Sequence, residues 1–384
     1  MIRFTPGGIS RAELARQMDL TRAAVTTIIN DFMADGLVRE TENAPSAGGR
    51  RPILLEINPD RAYVVGIDMG ATHLGIVLSD FAAHIIDEIE LPFWVNDGPP
   101  KCLGFLDEQI RGLLDQANLK LEQIDSVGIG VPGPVVEELG AVSSPPIMPG
   151  WSDYPIRHHL ADLWKCAVSV GNDANFGALG EWAYGAGRGE ENLAYIKVGS
   201  GVGAGLLLNG QIYRGTTGCA GEIGHITIRD DGPRCSCGSY GCLESMAGGN
   251  AVAQRAREAV NAGKRTKLAS IMPLEKITAR DVAAAARAGD LVAQQIITAS
   301  GNYLGIAIAS LVNLFNPGMI VVGGGVAEMG DLLLDPIRQA VRERSLRSAG
   351  ESVRVSTAVL GRRSSSIGAI VQAINVALDS IMEK

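Results

Sequence analysis

The hydrophobic pattern of the first sixty residues predicts two short helices joined by a tight turn. Ser10 followed by Glu13 is a capping-box pattern that opens the first helix, and Leu20 is expected to fill the turn. Apolar side chains recur at helical spacing in both segments. The expected core positions are Leu14, Ala15 and Met18 in the first helix and Val25, Ile28, Ile29 and Phe32 in the second.

The opposite face of the second helix carries small or hydrogen-bonding side chains, which can approach base edges in the major groove of DNA. The candidates are Thr21, Arg22, Ala23, Thr26, Thr27 and Asn30. Two extended segments follow around a loop that contains Arg50 and Arg51, as in a β-wing. This order of features predicts a winged helix-turn-helix DNA-binding domain over residues 1–59. The alternative is a helical hairpin that serves only for packing.

The charge distribution agrees with a DNA-binding head. The 384-residue chain has a net charge of −8, yet residues 1–58 hold seven Arg and seven acidic residues and are neutral. Local positive charge can therefore meet phosphates while the rest of the chain stays acidic. Only nine residues precede Ser10, so we expect that the first helix is truncated or that the true start lies upstream.

Beyond residue 60 the pattern changes to strand-like apolar runs separated by glycine turns. Residues 63–92 contain three such runs, residues 193–215 repeat the plan, and another strand in 316–328 ends in glycines before a helix. A chain of this length exceeds one ordinary core. The repetition predicts a duplicated α/β architecture with the functional cleft between the copies.

Three of these turns are candidates for binding a nucleotide, because backbone N–H groups at glycines can converge on phosphate oxygens and an Asp can hold the accompanying Mg²⁺. The candidate residues are Asp68, Gly70, Thr72, Gly199, Ser200, Gly201, Gly323 and Gly324. Each turn alone is equally consistent with a plain hairpin. Asp173, at a strand-to-helix junction, is either an N-cap or a general base for phosphoryl transfer.

One histidine and three cysteines lie close together in the segment from 222 to 242. His225, Cys235, Cys237 and Cys242 supply the donor set of a closed, tetrahedral structural zinc site. A catalytic nucleophile and a disulfide knot are the alternatives. The other three cysteines, Cys102, Cys166 and Cys219, are expected to be small buried residues.

The chain start lacks the long apolar segment of a secretory signal, so we expect a reducing, cytoplasmic location with thiols or metal ligands rather than disulfides. No membrane span is expected either. The apolar stretch LGIAIASLVNLF near residue 304 is short and is interrupted by Asn313.

Together these motifs resemble the ROK family, which is named for repressors, open reading frames and kinases. The resemblance covers nearly the whole chain. GEIGHITI followed by CSCGSYGCLES matches the family's zinc signature, and IDMGAT, VPGPV, PGW, GNDAN, GSGVGAG and VGGGV match in order. The resemblance implies an α/β class with the two-lobed actin-like, sugar-kinase (ribonuclease H-like) fold. It also implies a smaller lobe of residues 60–170 and 361–384 and a larger lobe of residues 171–360.

The resemblance further implies a pocket for a hexose or a related sugar in the larger lobe. Its sugar contacts would be Asn172, Asp173, Glu222, His225 and Glu244. One ring nitrogen of His225 would bind zinc while the other faces a sugar hydroxyl, so the metal would fix the orientation of the ring. The alternative is a zinc knot that only fastens a loop.

Two departures from the family's kinases favour a regulator. Ile147 stands where many kinases carry an Asn before PGW, and Ala71 and His73 replace the second Gly and the Lys of a G-G-T-K turn. The leading hypothesis is a sugar-responsive repressor of carbohydrate-use genes that binds operator DNA as a homodimer or homotetramer. The alternative is an ATP- and Mg²⁺-dependent hexose kinase with Asp173 as base and a vestigial head. A protein-only scaffold is a third hypothesis.

Overall fold

The computed structural model describes residues 1–5, 7–41, 52–143, 145 and 147–382. A small head opens the chain. Its elements are β1 (Ile9–Ser10), α1 (Arg11–Gln17), α2 (Arg22–Ala34), β2 (Val38–Thr41) and β3 (Leu54–Ile57). The strands form an antiparallel sheet in the order β1-β3-β2. The two extended arms of the predicted wing are thus confirmed, while Arg50 and Arg51 lie outside the described residues.

A first five-stranded sheet follows the head. Its strands and the elements between them are β4 (Tyr63–Met69), β5 (His73–Asp80), β6 (Ile85–Pro92), α3 (Pro99–Gln116), β7 (Ile124–Val131), β8 (Val135–Val136), β9 (Ala141–Val142), α4 (Ile156–Trp164) and β10 (Ala167–Asn172). The strand order is β10-β7-β4-β5-β6, and the short β8 and β9 pair only with each other. Helix α5 (Asp173–Tyr184) then leads to the second sheet.

The second sheet repeats the plan of the first. Its elements are β11 (Leu193–Val198), β12 (Val202–Leu208), β13 (Gln211–Ile212), α6 (Leu243–Ala247), α7 (Gly249–Asn261), α8 (Ala279–Arg287), α9 (Leu291–Phe315), β14 (Met319–Gly323), α10 (Asp331–Arg344), α11 (Arg347–Ser352), β15 (Arg354–Thr357) and α12 (Ser364–Met382). In the order β13-β12-β11-β14-β15, the first two pairs are antiparallel and the last two are parallel. The first sheet likewise has two parallel pairs on one side and two antiparallel pairs on the other. The duplicated α/β architecture predicted from the sequence is confirmed.

Helices α5 and α12 pack together at very short range. A Cβ at Gly368 would lie 1.7 Å from the carbonyl oxygen of Phe176, and a Cβ at Gly180 would lie 2.2 Å from that of Ser364. Only glycine permits such an approach of two backbones. Helix α12 also packs on β4 and β7 of the first sheet, so the last helix of the chain joins the first sheet to α5.

The head shares a hydrophobic core with the body. Val25 and Ile29 of α2 belong to the same buried cluster as Phe81, which follows β5, and Ile374 of α12. A head this small buries little apolar area alone. The interface with α12 therefore stabilises the head, and it also gives the head a fixed position on the body.

Two predicted core residues of the head, Met18 and Ile28, and the predicted turn residue Leu20 are exposed instead. Met18, Leu20 and Ile28 show 52%, 39% and 40% of their surface to solvent. Helix α1 ends at Gln17, so Met18 falls outside its buried face. The turn closes through a backbone hydrogen bond from Leu20 to Ala15 (3.0 Å) rather than by burying Leu20. Because residues of the body fill the head core, Ile28 is not needed there.

Helix α9 corrects the expectation that the apolar stretch near residue 304 is short. It runs for 25 residues, and it is the helix among the described ranges that is long and apolar enough to cross a membrane. Most of it is buried, chiefly against α10 and α8. Asn313 does not interrupt it, since this side chain lies on the surface and binds the segment after α10.

Candidate functional site

The two sheets meet at a cluster of three charged side chains, of which Asp68 is buried and the other two are partly buried. Asp68 lies near the end of β4, Asp173 begins α5, and Lys197 lies on β11. Nζ of Lys197 is 3.0 and 3.1 Å from the two carboxylate oxygens of Asp68 and 2.9 Å from Oδ2 of Asp173. Asp68 is 2% exposed. The predicted base and the predicted Mg²⁺-holding residue are thus brought together, but with a lysine between them.

The surroundings favour the charged forms of this cluster. Burial raises the pKa of Asp68, but the charges of Lys197 and His73 outweigh it and hold that pKa well below its ordinary value. Burial lowers the pKa of Lys197, yet Asp173 and Asp68 together raise it well above its ordinary value. Asp68 and Lys197 are therefore both ionised across the neutral range.

The predicted phosphate turns face one another across the sheets. Oγ1 of Thr72 in the first turn lies 3.4 Å from Oγ of Ser200 in the second. The third turn adjoins the second, because a Cβ at Gly324 would lie 2.5 Å from the carbonyl oxygen of Val198. Gly324 has φ +85°, which explains a glycine there. The geometry gathers the three turns, and it leaves a role in nucleotide binding as a prediction.

The strand-to-helix junction before α5 is capped by Asn172, not by Asp173. Oδ1 of Asn172 accepts hydrogen bonds from the backbone N–H groups of Ala174 (2.9 Å) and Asn175 (3.1 Å). Its Nδ2 donates to the carbonyl oxygen of Gly133 in the VPGPV loop at 3.1 Å. The N-cap interpretation of Asp173 was therefore wrong, because the side-chain amide of Asn172 caps the helix. The carboxylate of Asp173 contacts Lys197 instead.

The predicted zinc ligands form one compact cluster. The donor atoms of His225, Cys235, Cys237 and Cys242 all lie within 4.8 Å of one another. Sγ of Cys237 is 3.8 Å from Sγ of Cys242, and Sγ of Cys235 is 3.7 Å from Nδ1 of His225. A tetrahedral site with Zn–S bonds of about 2.3 Å separates its donors by roughly 3.6 to 3.8 Å. The residues therefore fit a zinc ion in both chemistry and spacing.

The two ring nitrogens of His225 face different surroundings. Nδ1 faces Cys235, while Nε2 lies 3.8 Å from Oε2 of Glu222. Burial raises the pKa of Glu222, His225 lowers it, and the nearby carboxylates of Asp173 and Glu244 raise it further. These carboxylates and the imidazole consequently share one electrostatic neighbourhood beside α5, as the predicted sugar pocket requires.

Glu244 is held by protein groups on both of its oxygens. Oε1 accepts a hydrogen bond from Oγ of Ser236 at 3.0 Å, and Oε2 accepts one from the backbone N–H of Val202 at 3.2 Å. A Cβ at Gly201 would lie 2.1 Å from Oε2. Glu244 thus ties the cysteine loop to the second glycine turn, a geometry that matches the loop-fastening alternative for this residue.

The remaining cysteines differ in exposure. Cys102 is buried, Cys166 is half-buried and Cys219 is exposed. The expectation of three buried residues was therefore wrong for Cys219, which lies in the loop after β13, where turns keep the chain at the surface. Burial raises the pKa of Cys102 and that of Cys166 to about 11. All six cysteines are free thiols here, so the disulfide alternative finds no support.

Lys197 is the site residue that the sequence interpretation missed. It is the one charged residue in the otherwise apolar strand LAYIKV, on the central strand of the second sheet. A charge is almost never buried without a partner. Its position two residues before a glycine turn was therefore a usable indication that carboxylates would converge on it.

Comparison with known proteins agrees with this fold. A profile of the ROK family matches residues 64–375. The chain is 34% identical over 367 residues to a putative xylose repressor of Caldicellulosiruptor sp., an alignment that covers 96% of this chain and 92% of that protein.

Two crystal structures match as well. A ROK family transcriptional regulator, a homologue of the E. coli Mlc protein, superposes with a TM-score of 0.82 at 29% identity, over 99% of this chain and 96% of that one. A ROK family glucokinase from Streptomyces griseus in complex with glucose and AMPPNP gives 0.70 at 31% identity, over 82% and 99%. The actin-like, sugar-kinase fold is thereby confirmed, and the chain belongs to the ROK family.

Proposed function

We propose that this protein is a sugar-responsive transcriptional repressor that binds operator DNA in the cytoplasm. The observation that carries the proposal is a head of two helices and a three-stranded sheet packed on a body of the ROK fold. The extent of the matches supports it, because the xylose repressor aligns with 96% of this chain and the glucokinase structure with 82%. A kinase needs no such head.

Helix α2 is the proposed reading element. Thr21, Arg22, Ala23, Thr26, Thr27 and Asn30 are all exposed. Thr21 also caps the helix through a 3.2 Å hydrogen bond from the N–H of Ala24. The partial positive charge at this end of the helix would favour a nearby phosphate. Arg22 follows at the first helical position and would contact phosphate or a base edge. Arg50 and Arg51 remain proposed wing contacts.

The sugar pocket is proposed to use Asn172, Asp173, Glu222, His225 and Glu244, as in the sequence interpretation. Nε2 of His225 and the carboxylate of Glu222 are the best placed to bind hydroxyl groups, since neither is fully buried. Asn172 and Glu244 already serve as a helix cap and a loop fastening. We therefore assign them mainly to shaping the pocket.

A structural zinc ion is proposed at His225, Cys235, Cys237 and Cys242. Bound zinc would hold the imidazole in one orientation and one tautomer, with Nδ1 on the metal side. The opposite nitrogen then stays directed at Glu222 and the pocket. The ion is thus proposed to be closed to substrate, while it positions a residue that touches the sugar.

The response to sugar is proposed to act through an oligomer. Two heads must match two half-sites on DNA, so a small change in their spacing weakens binding. A sugar that prefers one arrangement of the two lobes shifts the population toward it. We propose a homodimer or homotetramer whose chains each consist of a head (1–59), a smaller lobe (60–170 and 361–384) and a larger lobe (171–360). A movement of one lobe relative to the other would change the spacing of the heads between chains.

The test is DNA binding of the full-length, zinc-loaded protein measured by fluorescence anisotropy on the DNA upstream of its gene. A panel of monosaccharides that includes xylose should contain one that lowers the affinity. We expect salt-sensitive, sequence-specific binding that this sugar weakens about 5- to 150-fold, the usual range of allosteric coupling. Affinity that no sugar changes would contradict the proposal.

The second candidate function is an ATP-dependent sugar kinase, favoured by the likeness to the glucokinase structure. It predicts ADP release that depends on a sugar and on Mg²⁺, with Asp173 as the base. Incubating the same protein with ATP, Mg²⁺ and the sugar panel separates the two functions. Turnover at the rate of ordinary kinases, about 1–100 s⁻¹, would show that the protein is a sugar kinase and would contradict the repressor proposal.

A further inference from the structure

The ammonium of Lys197, on β11 of the second sheet, occupies the point where two carboxylates converge, Asp68 from β4 of the first sheet and Asp173 from the start of α5. Besides its three contacts with Asp68 and Asp173, Nζ of Lys197 lies 3.1 Å from Oγ of Ser365. An ammonium has three protons to donate, and these acceptors use all of them. Oγ of Ser365 donates to the carbonyl oxygen of Asp173 at 2.9 Å, so it presents a lone pair to Lys197. The cluster is built around a monovalent cation.

His73 also contacts the carboxylate of Asp68. Nε2 of His73 lies 3.2 Å from Oδ2 of Asp68. The imidazole also covers the first glycine turn, because a Cβ at Gly70 would lie 2.2 Å from the ring. Both oxygens of Asp68 therefore have partners within the protein, and the turn that would receive phosphate is filled by a side chain.

A magnesium-bound nucleotide does not fit this arrangement. Mg²⁺ takes oxygen ligands at about 2.0–2.1 Å in octahedral geometry and keeps several of its waters. The ammonium and the imidazole stand where that ion and its water shell would approach Asp68. A second cation beside a buried ammonium is also repelled, and repulsion is strong where the effective dielectric constant is low.

We propose that Lys197 permanently takes the place of the nucleotide-bound metal ion between Asp68 and Asp173, so that the pocket beside it binds sugar without a nucleotide. His73 keeps the phosphate of a nucleotide out of the first glycine turn. The part of this inference that concerns sugar rests on the proposed function. The exclusion of the metal ion rests on the ion cluster alone.

Removing the ammonium should turn the cluster into a cation site. Lys197→Met leaves the buried carboxylate of Asp68 and the partly buried one of Asp173 without a counterion, which attracts a divalent ion. We expect this variant to bind Mn²⁺ at least about tenfold more tightly than the wild type, measured by electron paramagnetic resonance of free Mn²⁺. Its melting temperature should rise in millimolar Mn²⁺ or Mg²⁺, whereas that of the wild type should stay unchanged.

Two controls make the result specific. Lys276→Met removes the same charge at an exposed position and should behave as the wild type. Asp68→Asn added to Lys197→Met should abolish the gained Mn²⁺ binding, because it removes a ligand. A folded Lys197→Met variant that binds Mn²⁺ no better than Lys276→Met would overturn the proposal.

A measurement on the wild type covers the case in which Lys197→Met does not fold. Equilibrium dialysis with radiolabelled ATP and Mg²⁺ should show no saturable binding at millimolar concentration, and calorimetry should give the same sugar affinity with and without Mg·ATP. Saturable submillimolar binding of Mg·ATP would overturn the proposal. If the wild type binds no sugar, the proposed function is wrong. The Mn²⁺ measurement would still test the role of Lys197.

Discussion

Asp68 makes the stability of the buried ion cluster depend on pH. Burial raises its pKa, but Lys197 and His73 lower it more, so the folded protein holds this pKa below the unfolded value. Such a group stabilises the fold above the unfolded pKa of about 3.9, and the contribution is lost as pH falls through the folded pKa. The pKa of Lys197 is raised, so its contribution is complete at neutral pH and is lost only in strong alkali.

Asp68→Asn should therefore lower the free energy of unfolding by about 3–5 kcal/mol at pH 7, because it leaves a buried ammonium partly uncompensated. The deficit should begin to shrink below about pH 5, where the unfolded chain starts to take up the proton, and it should go on shrinking as pH falls toward the folded pKa of Asp68. Denaturant unfolding across this range measures both effects. Asp60→Asn, at an exposed position, is the matched control. An equal deficit at every pH would argue against an ionised Asp68.

Single residues show where sequence reasoning stops. Asp68 and Asp173 were found because each stands at the end of a strand-like run, before a glycine turn or before a helix, which is a local pattern. Lys197 was missed because its partners lie 129 and 24 positions away, and a local pattern carries no record of such a contact. The sequence interpretation considered only Asp173 as the cap, although the side chain of Asn172 can accept equally well from the first helical N–H groups.

The cysteine loop is proposed to depend on zinc as a whole element. Loss of a residue that hydrogen-bonds to a metal ligand lowers metal affinity by roughly 10- to 100-fold. Cys237→Ser should reduce zinc affinity by more than this, because it removes a ligand itself. Elemental analysis after dialysis should then give less than one zinc per chain, and sugar binding should weaken as His225 loses its fixed orientation. Cys219→Ser, an exposed cysteine outside the cluster, should keep both. Unchanged zinc in the Cys237 variant would exclude this ligand set.

Helix α2, the proposed reading element, gives a second prediction about a whole element. Arg22→Ala should weaken operator binding by about 1–3 kcal/mol and, if the contact is to phosphate, lower the salt dependence by about one ion. Sugar affinity should not change, since the pocket is in the body. Arg111→Ala on α3 removes an exposed arginine of the body and is the control. Equal loss in both variants would show that bulk charge, not α2, drives binding.

Whole elements were predicted well where their pattern is local and repeated. The strands in 63–92, 193–215 and 316–328 were predicted from apolar runs between glycine turns, and so was the duplication. The order of the strands within each sheet was not predicted. The length of α9 was misjudged because a polar residue was taken as an interruption. Asn313 instead accepts from the N–H of Leu346 at 2.7 Å, a tertiary contact that lets a surface asparagine sit in a long helix.

The whole molecule connects the proposed pocket to the head through α5 and α12. Helix α5 begins at Asp173 in the ion cluster and ends at Tyr184, whose hydroxyl accepts a hydrogen bond from Nε of Arg3 at 3.2 Å. Helix α12 begins beside the same cluster, and its Asn375 accepts from Nη1 of Arg3 at 3.1 Å. Because the two helices pack backbone to backbone, a shift at one end is carried to the other rather than absorbed.

Arg3→Ala should therefore loosen the coupling between sugar and DNA without removing either binding site. We expect unchanged sugar affinity and operator affinity, and a ratio of sugar-free to sugar-bound DNA affinity that falls by about 2- to 30-fold, which corresponds to coupling changes of about 0.5–2 kcal/mol. Arg16→Ala, an exposed arginine of α1 that pairs only within the head, should keep the full ratio. Titrating operator DNA at several fixed sugar concentrations measures the ratio directly. If both variants respond to sugar as the wild type does, the signal reaches the head through the shared core around Ile374 and not through Arg3.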